Sequence, residues 1–196
     1  MVKTNYELKY QGIIKGLTNR PTLLLHSCCA PCSSSVLERV CKHFDVTVVY
    51  YNPNIFPEDE YVKRKEEQIK LLKILDVKFL DCEYNQQEFE NNICGLESEP
   101  EGGKRCNKCF LIRLEFTAKK ASELNFDYFG TTLTVSPHKN EQLINQIGEI
   151  LQEKYKKNYL FADFKKKNGY LNSIKLSKQH NLYRQNYCGC KYSKNN

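Results

Sequence analysis

The sequence predicts an α/β fold on a mainly parallel sheet of about five strands with flanking helices. Short apolar or β-branched runs at 22–26, 46–51, 77–80, 128–135 and 159–164 alternate with longer amphipathic stretches. The 196-residue chain is 40% hydrophobic and 27% charged, the balance of a globular protein rather than a disordered one. Its least ordinary segments, SCCAPC, YNPNIF and SPHKN, each follow a predicted strand, where parallel sheets collect their ligands.

Taken in order, residues 1–20 read as an N-terminal helix or arm ended by Pro21. Thr22–His26 is a buried strand, and 33–43 a helix with serines at its start. Residues 46–51 (VTVVYY) form a strand, and 58–75 an amphipathic helix that opens on acids and turns Tyr61, Ile69, Leu72 and Leu75 inward. A third strand spans 77–80. A short helical piece, NQQEFENNI, precedes a glycine-containing loop, and a helix at 107–124 buries Phe110, Leu114, Ala118 and Ala121. A strand at 128–135, a helix at 140–155, a strand at 159–164 and a helix near 171–181 complete the pattern. No repeat or linker interrupts it, so 1–196 reads as one α/β domain with a basic C-terminal segment, 165–196. The opening residues lack an apolar signal core and the longest aliphatic run is Leu23–Leu25, so a cytoplasmic protein without membrane contact is expected.

Net charge is +7 and is unevenly placed: residues 1–100 carry 12 basic and 15 acidic groups, residues 101–196 carry 18 and 8. Such a basic half suits either a polyanionic partner or a solvated surface. Ten cysteines are more than a reducing compartment calls for as structural disulfides. Seven are grouped, as Cys28, Cys29 and Cys32, Cys106 and Cys109, and Cys188 and Cys190; Cys41, Cys82 and Cys94 read as small, partly buried fillers.

Thiolates suit iron–sulfur clusters and zinc, and a cubane cluster usually takes four. Cys28, Cys29, Cys106 and Cys109 supply such a set from a strand end and the first turn of a helix, where partial positive charge favours thiolate. Zinc and thiol-only chemistry stay open, although Cys32 and Cys106 are too far apart in sequence for a zinc ribbon. In Cys188-Gly189-Cys190 the glycine gives the freedom needed to close a small strained disulfide, so the pair reads as a redox dithiol, with extra metal ligands or inert thiols as the alternatives.

The segments HSCCAPCSSSVLE, YYNPNI, KRCNKCFLIRL, FGTTLTVSPHKN and YRQNYCGCKYS, in this order from about Leu23 to Ser193, resemble the QueH-type epoxyqueuosine reductases. The resemblance implies a nucleotide-binding (HUP-like) architecture, and here the turn after the first strand holds cysteines in place of an ATP phosphate loop. It implies reduction of epoxyqueuosine to queuosine at the wobble position of tRNAs for Asp, Asn, His and Tyr, without cobalamin. By motif position Cys28, Cys29, Cys106 and Cys109 would hold a [4Fe–4S] cluster, and Cys188 and Cys190 would be the redox-active pair. Cys32 is the candidate for an adjacent mononuclear iron. An external electron donor is required.

Tyr50, Tyr51, Tyr183 and Arg184 are candidates for stacking a splayed anticodon-loop base, with core packing as the alternative for the first two. Lys139, Lys156, Lys157 and Lys165–Lys167 are candidates for phosphate contact. His138 is a candidate proton donor or a loop-stabilising residue, His26 is expected to pack beneath the site, and Asp163 is a weaker candidate for metal or base. The competing functions are a tRNA sulfur-transfer (thiolation) enzyme, which would need ATP, and a zinc-containing RNA-binding module.

Overall fold

A computed structural model describes residues 3–193 of the chain. Its elements run α1 (Tyr6–Gly16), β1 (Thr22–His26), α2 (Ala30–Val40), β2 (Asp45–Val49), α3 (Glu58–Leu75), β3 (Lys78–Leu80), α4 (Gln86–Asn92), α5 (Lys104–Glu123), β4 (Tyr128–Thr131), α6 (Glu141–Tyr155), β5 (Asn158–Tyr159) and α7 (Gly169–Gln179). The five strands pair in parallel in the order β3-β2-β1-β4-β5. The chain moves outward from β1 in one direction, then returns across it to β4, so the C-terminal ends of β1 and β4 frame a topological switch point.

Both faces of the sheet are covered. Along β1, Leu23 and Leu25 join a core with Val36, Leu37, Leu71 and Phe164, while Leu24 joins a second core with Phe89, Leu114, Phe129 and Ile144. That two-residue alternation explains why the strand reads as an unbroken apolar run. Helices α2, α3 and α7 pack together, and α5 packs on α4 and α6. Asn5, Asn85 and Asn140 cap α1, α4 and α6, each side-chain oxygen accepting the N–H three residues on. No helix among the described residues is long and apolar enough to cross a membrane.

The boundaries differ from expectation where side chains compete with the ladder. The strand expected at 128–135 stops at Thr131, whose hydroxyl accepts the Leu133 N–H, and 133–135 form a 3-10 turn. The strand expected at 159–164 stops at Tyr159, and the Asn145 side-chain amide takes over, donating to Ala162 O and accepting the Ala162 N–H. The strand expected to run through Tyr51 ends at Val49. Helix α2 begins at Ala30 rather than Ser33, because Pro31 fits the first turn of a helix, where its missing N–H costs nothing. In α3 the inward face is Tyr61, Arg64, Gln68, Leu71 and Leu72 rather than the all-apolar set, with Ile69 and Leu75 only partly buried.

Helix α6 approaches the sheet closely at Gly148, where an added Cβ would lie 2.3 Å from the buried Tyr159 ring. That ring is itself held between Phe129 and Phe161. Gly148→Ala is therefore expected to cost about 3 kcal/mol through overpacking, read as a lower urea midpoint at unchanged m-value.

Candidate active site

The site begins below the thiols. His26, fully buried at the end of β1, donates from Nε2 to Tyr51 O (3.1 Å) and accepts at Nδ1 from Thr131 Oγ1 (3.0 Å). Burial, reinforced by the charge of Arg113, lowers its pKa to about 3, so a neutral ring pins three strand ends together, as expected of it. The next residue, Ser27, meets Ser33 Oγ at 2.5 Å and donates to Gln68 Oε1 at 2.5 Å. The serine run at the start of α2 is thus a buried polar network reaching α3.

Cys29 takes an extended backbone as the N-cap of α2, and Cys32 lies in the first helical turn. These two spacings bring the Sγ atoms of Cys28, Cys29 and Cys32 within 4.8 Å of one another, with Cys28 and Cys29 at 3.9 Å. One negative charge is best carried by Cys28. The Cys29 and Cys32 thiols hydrogen-bond to it and hold it well below the usual thiol range, with help from Lys139. The same bonds, together with burial, push Cys29 up to about 12 and Cys32 well above its ordinary value.

A second thiol group lies on α5 and, among the described residues, is not part of the 4.8 Å sulfur grouping. Cys106, Cys109 and Arg113 recur at three- and four-residue spacing along α5, which places them on one helix face. Burial pushes Cys109 up to about 12 and raises Cys106, whose sulfur accepts the Gly102 N–H at 3.2 Å. The Arg113 guanidinium is 2% exposed; Nε donates to Cys109 O (3.0 Å), and Nη2 has no hydrogen-bond partner. Its charge is sustained against burial by Cys109, Cys188, Cys28 and Cys106. Lys139 is likewise raised by Cys188, Cys28 and Cys32, although burial alone would lower it.

Cys188 and Cys190 complete this group from the C-terminal strap. Gly189 adopts φ +121°, a conformation that favours glycine, and a Cβ there would crowd Arg64 Nη1 and Ile55 at 3.0 Å. The strap is tied down by Phe56 N–H to Gly189 O (2.9 Å) and Arg64 Nη1 to Cys188 O (3.3 Å). Arg64 is in turn paired with Glu60 at 2.6 Å and covered by the Tyr187 ring. All ten cysteines are free thiols.

The three cysteine groups open onto one recess. Its larger chamber, about 640 Å³, is lined by Cys28, Cys29, Cys32 and Cys188 together with Asn52, Asn54, Arg113, His138, Lys139 and Arg184. A smaller pocket is lined by Cys106, Cys109, Cys188 and Cys190 and shares Asn54, Arg113, His138 and Lys139 with the chamber.

Of the remaining expectations, His138 and Arg184 reach the chamber; Arg184 is oriented by Ser177 Oγ (3.1 Å). Tyr50 and Tyr51 take the core-packing alternative. Both are buried, Tyr50 against Tyr61 and Tyr51 on Phe116 with its hydroxyl on Glu88, because the strand ends at Val49 and their rings turn into the core. Tyr183 lies outside the recess lining, with its hydroxyl on Glu60 and Lys63 over its ring. Asp163 is buried away from the recess, near Lys165. The basic residues offered for phosphate contact are partly engaged: Lys165 with Glu141, Lys156 with Glu153, Lys167 with Glu7 and Lys157 with Asn125. Cys94 is exposed rather than a buried filler.

Sequence reasoning missed Asn52, Asn54, Arg64 and Arg113. Arg113 was findable as the residue one turn beyond Cys109 on the same face. Arg64 occupies a position on the inward face of α3 where an aliphatic residue is the default.

The family model described as "Epoxyqueuosine reductase QueH" matches residues 23–196. Epoxyqueuosine reductase QueH of Streptococcus pyogenes serotype M1 is 44% identical, over 97% of this chain and 78% of that protein. The protein of the same name from Staphylococcus epidermidis is 42% identical, over 97% and 85%. Among solved structures, the U34-tRNA thiolase NcsA from Methanococcus maripaludis, described with its [4Fe-4S] cluster, superposes with a TM-score of 0.59 at 11% identity, over 96% of this chain and 67% of that one. At that identity the likeness is one of fold.

Removing Arg64 leaves Glu60 without its ion-pair partner and removes one of the strap's ties. Arg64→Ala is expected to lose about 3 kcal/mol in urea unfolding. Alkylation of Cys188 and Cys190 by iodoacetamide, followed by mass spectrometry, should accelerate while Cys41 reacts at the wild-type rate.

Proposed function

This chain belongs to the epoxyqueuosine reductase QueH family, and we propose that it performs that family's reaction in the recess at the β1–β4 switch point. The reaction takes two electrons and two protons, breaks both carbon–oxygen bonds of the epoxide, and yields the alkene of queuosine and water. The electrons come from an external donor. The substrate is a tRNA whose wobble base bears the epoxide, in the tRNAs for Asp, Asn, His and Tyr. A recess of about 640 Å³ is of the size that takes up one nucleoside, so the base enters splayed from its loop.

The observation that carries this reading is the convergence of seven thiols on one recess. Their softness suits a thiolate-bound iron–sulfur centre, and Cys28, Cys29 and Cys32 are the group whose sulfurs already lie within 4.8 Å of one another among the described residues. Cys28, Cys29, Cys106 and Cys109 would hold a [4Fe–4S] cluster, with Cys32, beside the first two, available to an adjacent iron. When bound, such a centre supplies electrons one at a time and a Lewis-acidic site for oxygen.

The chain's own residues supply charge and protons. Lys139 is held in its charged form by the surrounding thiols, which makes it a poor acid near neutrality and a good electrostatic partner for negative charge building on the departing oxygen. Proton donation falls to His138, the imidazole lining the same chamber. Cys188 and Cys190 would serve as a dithiol whose oxidation to a disulfide releases two electrons and two protons, the amounts one turnover consumes. Arg184 presents a planar cation at the chamber wall for stacking the base.

Anaerobically purified protein should be brown, and Cys106→Ser should lose most of its iron together with at least a hundredfold in activity. Loss of the cluster in Cys32→Ser with retention in Cys106→Ser would reassign it to Cys28, Cys29 and Cys32. Mass analysis of tRNA nucleosides from cells lacking the protein tests the reaction itself: epoxyqueuosine should accumulate, and unchanged queuosine would refute it.

A further inference from the structure

We propose that Asn52 and Asn54, in the loop after β2, form a hydrogen-bond-accepting subsite that reads the hydroxyl and amine donors of the substrate's epoxide-bearing arm. The proposal deepens the reductase reading and rests on it. Asn52 is 1% and Asn54 2% exposed, and both line the chamber. The side-chain oxygen of each is buried without a hydrogen-bond partner. Buried polar atoms in native proteins are satisfied almost without exception, and an orphaned acceptor costs roughly 1–3 kcal/mol, so such acceptors on residues lining one chamber are groups awaiting donors.

The orientation of Asn52 is fixed. Its amide nitrogen donates to Ser27 O at 2.8 Å, an acceptor that only the NH2 end can serve, so the oxygen is the other end, beside the His26 ring, and Asn54 is the acceptor of the pair without such a neighbour. The loop is short and braced by Pro53 and by the Ile55 N–H on Asn52 O (3.2 Å), so the acceptors are preorganised. Asn54 lies on the wall shared by the chamber and the pocket of Cys106, Cys109, Cys188 and Cys190, which puts it where the two thiol groups meet. Sulfur acceptors on both sides deepen the preference for a ligand rich in N–H and O–H groups. A plain guanine, which lacks the arm, has no such donors to offer at this depth.

The test compares anaerobic holoenzyme binding to two tRNAs that differ only in carrying epoxyqueuosine or guanine at the wobble position, alongside kinetic constants and iron content. Wild type should prefer the modified tRNA. Asn54→Leu should reduce that preference about tenfold or more and raise KM in step, with iron content unchanged, the size expected for one buried hydrogen bond to a polar donor. Asn54→Asp keeps two acceptor oxygens and should retain the preference. The subsite is overturned if Asn54→Leu keeps the wild-type preference and KM, or if Asn54→Asp loses as much as Asn54→Leu. A wild-type protein that leaves epoxyqueuosine unreduced would instead sink the reductase reading.

Discussion

Negative charge on sulfur, buried at the end of a parallel sheet, has to be balanced locally, and the site is organised around that requirement. Two cations do the balancing. Arg113 stands on the same helix face as Cys106 and Cys109 and also feels Cys28 and Cys188; Lys139 faces Cys28, Cys32 and Cys188 from the loop after β4. Neither makes an ion pair with a carboxylate among the described residues, although Glu101 lines the same recess. A buried guanidinium without a carboxylate is costly unless other anions take that place. Here the neighbour that favours charge is Cys28, the one sulfur of the trio held below the usual thiol range, and it and the cations stabilise each other only when α5, the loop after β4 and the β1 turn are all in position.

The strap makes the site more than a property of strand ends. Cys188 and Cys190 are distant in sequence from the other thiols and arrive through α3, whose Arg64 holds the Cys188 carbonyl while Glu60 holds Arg64. The positive φ at Gly189 strains any side chain, so the turn that aims both sulfurs favours one residue type. A helix remote from the chemistry thereby controls how the dithiol is presented.

Much of this was legible in the sequence. The apolar run at 22–26, the limits of α3 and the face of α5 through Phe110, Leu114, Ala118 and Ala121 all follow from periodicity, because burial alone decides them. The grouped cysteines marked the site, since their spacing has no packing explanation. What stayed hidden depends on tertiary partners. Tyr50 and Tyr51 read as platforms at a strand end, but nothing local reveals that both rings turn inward. The ends of β4 and β5 depend on Thr131 and Asn145 binding backbone, a competition that propensity does not register. The buried roles of Arg64, Gln68 and Arg113 on otherwise amphipathic helices emerge only once the thiols and serines they face are in place.

The same architecture explains why sulfur can occupy the turn after β1. In nucleotide-binding sheets the helix that follows the first strand offers its N-terminus to phosphate, with backbone N–H groups and partial positive charge aimed at the anion. Helix α2 keeps that arrangement but begins with Ala30-Pro31-Cys32, and Pro31 takes away one of the N–H donors a phosphate would use. The favourable field remains while the phosphate cradle is weakened. A thiolate needs the field more than it needs the donors, and Cys28 is the member of the trio held in that form, with two neighbouring thiols donating to it. With Cys28, Cys29 and Cys32 at this turn, the N-terminus of α2 keeps the electrostatics of an anion site while offering fewer backbone donors.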